Sequence, residues 1–159
     1  MNIEYRKIII WGGNLMKKKK ACLIIVIVIL LAILFGFIYT YIQRKNTVDQ
    51  IKKVVVNCTQ NKFDTRLINN SAGEKIYSTI QNNWSEEGGI NLKKLECDIE
   101  NENWGKKYIC VVVRYKGTLK NGKNAEDCEY YKVHFEKRSN GIYISKVGVS
   151  VAEKGIYIY

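Results

Sequence analysis

Catalysis, metal binding and redox chemistry each need particular side chains at particular spacings, and this sequence offers few of them. His134 is the only histidine, and no serine or acid stands at a spacing that would build a proton relay around it. Glu96, Asp98, Glu100 and Glu102 occupy alternate positions. Calcium favours such oxygens, but carboxylates at every second strand position form a ladder and do not wrap an ion. They read as a solvated edge strand, where charge discourages pairing with a foreign strand. Gly12-Gly13 and Gly88-Gly89 are isolated pairs, not a phosphate-cradling loop. Cys58, Cys97, Cys110 and Cys128 form no C-x-x-C pair, so zinc and thioredoxin-like chemistry are not expected. No catalytic residue, cofactor or metal is expected, and the chain reads as non-enzymatic.

The largest signal is physical. From Ala21 to Ile42 the chain runs 22 residues without a charge, roughly 33 Å of helix against a bilayer core of about 30 Å. The run has no polar face and exceeds the apolar core of a cleaved signal peptide, and no small-x-small site follows it. It reads as an uncleaved signal-anchor that makes the lipid bilayer a partner, with Tyr39 and Tyr41 near one interface. Lys17 to Lys20 form the denser basic flank, against Arg44 and Lys45 on the other side. The expected topology is therefore single-pass in the cell membrane, with the N-terminus cytoplasmic and the C-terminal domain outside.

The net charge of +11 divides along the same line. Residues 1–20 hold six basic and one acidic side chain, and residues 43–159 hold twenty basic and fourteen acidic. The first share is a topology signal and the second a mildly basic, mixed surface, so no specific nucleic acid is expected. The absence of proline and the weight of Lys, Asn and Ile, whose codons are A/T-rich, point to an A/T-rich bacterial genome.

Residues 43–159 divide into a helical half and a strand half. Thr47-Val-Asp-Gln50 has capping-box spacing and opens a helix to Lys62, with Ile51, Val54, Val55 and Cys58 on one face. Ser71-Ala-Gly-Glu74 opens a second, with a stripe of Ile76, Tyr77, Ile80 and Trp84. The segment from Phe63 to Asn70 is a short helix or a loop. From Ile90 the period changes to two, and strands are expected over 92–100, 107–117, 127–137 and 142–151.

Turn chemistry sets the expected register. A four-residue loop at Glu102-Asn-Trp-Gly105 puts Cys97 opposite Cys110. A two-residue turn at Asn121-Gly122 puts Cys110 opposite Val133 and Arg114 opposite Glu129. A three-residue turn at Ser139-Asn-Gly141 puts Val133 opposite Val147. One apolar face results, through Leu95, Cys97, Ile99, Tyr108, Cys110, Val112, Tyr131, Val133, Phe135, Val147 and Val149, and the helices bury their stripes there. The fold class is α+β: an N-terminal transmembrane helix, then amphipathic helices packed on a four-stranded antiparallel sheet. The opposite face carries Ile109, Val111, Val113, Ile142 and Ile144 beside His134, an aliphatic strip expected to be an interaction or self-association face. Cys97 and Cys110 either form a cross-strand disulfide or remain two buried thiols.

This order of elements resembles the nuclear transport factor 2-like (cystatin-like α+β) superfamily over residues 46–151. Within it, a short tail, one span and an outer domain look like the bitopic scaffold subunit of conjugation and type IV secretion machines. The resemblance implies a membrane-anchored protein-interaction or assembly module at the cell envelope, with envelope proteins or a second copy as partners. A second reading, from another class, is a membrane-anchored module that binds a small apolar or anionic ligand in a helix–sheet pocket among Tyr77, Trp84, Tyr108 and Tyr131.

Residues 1–15 have two readings. Trp11-Gly12-Gly13 reads TGG-GGN-GGN in codons, and with GGA for Gly12 it contains GGAGG, a ribosome-binding sequence shortly before the ATG of Met16. On that reading residues 1–15 are translated leader and Met16 opens the signal-anchor. On the other they are a short cytoplasmic tail with an apolar patch from Ile8 to Trp11.

Overall fold

The computed structural model describes residues 3–139, 141–152 and 156–158, with side chains from residue 20 apart from Ala21 and those beyond residue 150. The side chains of the basic flank at Lys17 to Lys19 and of the leader segment lie outside what is described. The chain divides into two compact units, Met1–Lys45 and Asn46–Tyr159.

Helix α1 spans Ile3–Thr59. Within the first unit its side chains from Cys22 to Ile42 are exposed, and it is long and apolar enough to cross a membrane by length and composition. No cap forms at Thr47. Nothing between Ile42 and Thr47 breaks a helix, and extending an existing helix is far easier than nucleating a new one. Thr47 is consequently an interior position, 3% exposed. The helix stops where Asn61 takes a left-handed conformation (φ 57°). Lys62 N–H then donates to the Asn57 carbonyl and Asn61 N–H to that of Cys58, which satisfies the last carbonyls in a Schellman closure.

Helix α2 spans Asn70–Asn83. Its cap is Asn69, whose side chain accepts from Ser71 N–H at 3.0 Å, so the helix starts ahead of the expected Ser71 box. The preceding segment is held to the sheet by a parallel bridge of Ile68 with Ile144. Ile76 and Ile80 carry the buried stripe.

The sheet has five strands in sequence order, all antiparallel: β1 Ile90–Asn103, β2 Tyr108–Leu119, β3 Asn124–Arg138, β4 Gly141–Ala152 and β5 Ile156–Ile158. The first four match the expected strands and β5 is additional. The core joins Ile51, Val55 and Cys58 of α1 and Ile76 and Ile80 of α2 to the sheet, so α+β with helices on an antiparallel sheet describes the domain.

The register differs from expectation in two hairpins, each for a local reason. Between β2 and β3 the loop is Lys120-Asn121-Gly122. Gly122 N–H donates to Leu119 O, Leu119 N–H to Lys123 O, and only Gly122 of the three has positive φ (83°). This is a type I turn with a left-handed glycine bulge, not the two-residue primed turn that Asn-Gly also supports. Val111 now pairs with Tyr131 and Val113 with Glu129, a one-residue slip that turns β2 over. Between β1 and β2 the four-residue loop exists but lies at Trp104 to Lys107, and bulges near Lys93 and Glu100 shift the ladder further. Between β3 and β4 the expected pairs Tyr131–Val149 and Val133–Val147 form. A bulge after His134 then brings Ile144 opposite Phe135.

At Gly117 β1 packs close against β2. A Cβ there would stand 2.5 Å from the Asn91 carbonyl oxygen and 2.7 Å from Ile90 Cγ1. Backbone cannot yield cheaply, so Gly117→Ala is expected to destabilise the domain by about 1–3 kcal/mol, measured by denaturant unfolding.

Candidate functional site

The flip of β2 decides where the expected site residues go. Ile109, Val111 and Val113 are fully buried in the helix-packed core, and Ile142 (8% exposed) and Ile144 (fully buried) join them. The aliphatic strip expected on the outer face is therefore core, and it presents no interaction surface. His134 alone of that set lies on the outer face, opposite Tyr108. Cys97 pairs with Val113, and Cys110 pairs with Asn101 and Lys132 on the outer face. Both are free thiols, so the cross-strand disulfide does not form. Burial pushes the Cys97 thiol up to about 11 and that of Cys58 up to about 12, which keeps both protonated and unreactive at neutral pH.

The expected helix–sheet pocket is not assembled. Tyr131 is fully buried with its hydroxyl donating to the Ile76 carbonyl at 3.2 Å, whereas Tyr108 stands on the other side of the sheet.

What the helix–sheet interface does contain is a buried polar cluster under the end of α2. Period two along β3 puts Glu129 on the same side as Tyr131, Val133 and Phe135, and it is only 8% exposed. The amide of Asn83, last residue of α2, donates to Glu129 Oε1. Next to it the indole N–H of Trp84, the helix cap, donates to the Tyr115 hydroxyl at 3.3 Å. Burial pushes the Glu129 carboxyl up to about 7, with Asp127 adding to the rise and the Asn83 bond opposing it. Tyr115 is pushed up to about 12, first by burial, so it stays a neutral hydroxyl. The cluster can hold or release one proton near neutrality. Among the described residues no group of three or more His, Cys, Asp or Glu is placed to hold a metal ion. Sequence reasoning missed Glu129 because the expected register set it against Arg114; the alternation of β3 alone would have put it inside.

The outer face is a mosaic of ion pairs. Arg114 reaches Asp98 at 2.6 Å and Lys94 reaches Glu96 at 2.7 Å, while Lys116 pairs with Glu126. Lys52 of α1 also approaches Asp98, at 3.8 Å. Of the acids of β1, Glu96 and Asp98 are thus partnered across and along the sheet. The Lys94 and Lys116 bonds hold Glu96 and Glu126 below the usual carboxylate range. Exposed pairs of this kind contribute little stability; their effect is to fix a pattern of alternating sign around a shallow groove of about 360 Å³ lined by Lys94, Glu96, Arg114, Lys116 and Glu126. Comparison of the chain with protein-family models, with curated proteins and with solved structures finds no match.

Proposed function

We propose that this chain is a single-pass membrane protein whose domain Asn46–Tyr159 stands outside the cell and works as a non-enzymatic protein-interaction or assembly module at a bacterial envelope. The observation that carries the reading is the uncharged helical run of residues 21–42, exposed from Cys22 onward, joined to a domain with its own core. A fully apolar helix with no protein to cover it is stable in lipid and costly in water. The basic cluster before the run supports the cytoplasmic N-terminus. The resemblance in element order to nuclear transport factor 2-like scaffolds supports an assembly role, with conjugation or secretion machines as its setting. With the aliphatic strip buried, recognition of envelope proteins or of a second copy falls to the charged outer face, where alternating sign selects partners by complementarity.

Topology is tested by a membrane-impermeant maleimide on intact cells. Cys58 and Cys110 are buried, and of the two partly exposed cysteines, Cys97 and Cys128, burial holds the Cys97 thiol protonated, so labelling is expected without permeabilisation and is lost in Cys128→Ser. Labelling that needs permeabilisation reverses the orientation. Crosslinking in the membrane is expected to trap a partner or a dimer, and recovery of monomer alone removes the assembly role.

A further inference from the structure

Among the described residues Glu129 is the one buried side chain able to carry a charge as an acid or base of the usual four kinds. The groups that face it are Asp127 and Tyr131 from β3, Tyr115 from β2, and Asn83 and Trp84 at the end of α2. From α1 and β1 the thiols of Cys58 and Cys97 act on Tyr131, and burial keeps both protonated. None of these groups is a cation, and the hydrogen bond to Glu129 comes from the neutral amide of Asn83. A glutamine would accept that bond at every pH. The carboxyl makes the contact depend on a proton.

What the contact holds is the end of α2. The buried stripe of the helix stops at Ile80. Past it the attachments are polar: Asn83 to Glu129, the Trp84 indole to Tyr115, and the Gln81 side chain to both backbone groups of Ile90, the last two at 3.3 Å each. The half-buried ring of Trp84 is the apolar anchor. Asn82, Asn83, Ser85 and Glu86 are exposed, so lifting this segment uncovers little apolar surface. The turn that follows is bonded to itself, Gly88 N–H to Ser85 O and Gly89 N–H to Trp84 O, and it can move as a piece. Gly88 and Gly89 both have positive φ, 79° and 95°, and two such glycines in sequence supply a pivot ahead of β1.

We propose that Glu129 and Asn83 form a proton-sensitive latch, in which residues 81–89 lie closed on the sheet while Glu129 is protonated and lift when it ionises, uncovering Trp84 and Tyr115. The device belongs to the domain alone and does not depend on the membrane reading. An ionised Glu129 meets the like charge of Asp127 and the carbonyl end of α2, and water reaches it once the segment lifts. Closed, the carboxyl titrates at about 7; in water it would titrate near 4.3. Below both values opening is independent of pH. Between them opening releases a proton and so increases with pH, and above 7 it levels off because the closed form is ionised as well. From pH 5.5 to pH 8 these two values give a rise in the opening constant of roughly thirty-fold.

The test is hydrogen exchange of the full chain in phosphatidylcholine nanodiscs, read by mass spectrometry at both pH values and divided by the intrinsic rates. Opening over residues 81–89 is expected to rise by roughly thirty-fold and to be indifferent to sub-denaturing urea, as local openings are. Glu129→Gln is expected to flatten the pH response, and Asn83→Ala to raise opening several-fold at pH 5.5. A response that survives in Glu129→Gln, or Asn83→Ala without effect, overturns the proposal. So does opening that grows with urea as steeply as over residues 109–113 in the core, since the domain then opens as a whole. Less opening at pH 8 than at pH 5.5 overturns it as well, because the ionised carboxylate then grips Asn83 more tightly.

Discussion

Val111→Asp is expected to prevent the domain from folding, while Tyr108→Ser is expected to be tolerated. Val111 is fully buried in the helix-packed core, opposite Ile99 on one side and Tyr131 on the other. A carboxylate there has no cation within the apolar layer. It must either stay ionised without water or take up a proton against its solution preference, and either route costs roughly 4 kcal/mol or more. Domains of this size hold only about 5–15 kcal/mol in total. Tyr108 lies on the outer face, where its ring contacts His134 and Lys132, and losing those contacts costs about 1 kcal/mol. The pair discriminates between registers, because the two-residue Asn121-Gly122 turn would expose Val111 and bury Tyr108. Circular dichroism and urea unfolding of both variants decide it. A folded Val111→Asp beside an unfolded Tyr108→Ser would restore the register of the two-residue turn.

That register shows where local reading stops. Strand existence was legible, since alternation over β1 and β3 is long and regular, and Leu95, Cys97, Ile99, Tyr131, Val133 and Phe135 turn inward as their period requires. β2 is different. Its run Ile109-Cys-Val-Val-Val113 is apolar on both parities, so periodicity could not choose its face and the choice fell to the turn. Asn121-Gly122 serves a two-residue primed turn and a three-residue loop with a glycine bulge equally well. Only the fit of β2 under α1 and α2 separates them, and that is a tertiary fact. The same holds for the helices. Thr47-Val-Asp-Gln50 has the spacing of a start signal, but a helix already running through Ile42 had no reason to stop and restart there. Glu129 was hidden for the reason that hid Val111: a pairing with Arg114 made it look like a surface ion pair. The interaction face and the disulfide both followed from β2 and failed with it, whereas the uncharged span depended on no pairing at all.

Glu129→Gln is expected to stabilise the domain at alkaline pH and to leave it unchanged in acid. The Glu129 carboxyl titrates near 7 in the fold, raised first by burial, against about 4.3 in an unfolded chain. Below the unfolded value both states are protonated and the carboxyl contributes nothing. Between the two values the unfolded state releases its proton first, so stability falls as pH rises. Above 7 both are ionised and the whole cost of a buried carboxylate is present. The groups facing it do not relieve that cost. Asp127 is a like charge, Tyr115 and Tyr131 remain neutral because burial raises both, and Asn83 offers one neutral hydrogen bond. The carbonyl end of α2 is an unfavourable place for an anion as well. Glutamine keeps the acceptor for Asn83 and carries no charge, so the gain at pH 8 is expected to be about 1–3 kcal/mol. Exposed acids held low by their partners, such as Glu96 and Glu126, impose the opposite slope, and subtracting the wild-type curve from that of the variant cancels it. Denaturant midpoints at pH 4, 6 and 8 provide the measurement. A variant less stable than wild type at pH 8 would mean that the carboxylate is wanted in its charged form, and hence that a cation from outside the domain meets it under the end of α2.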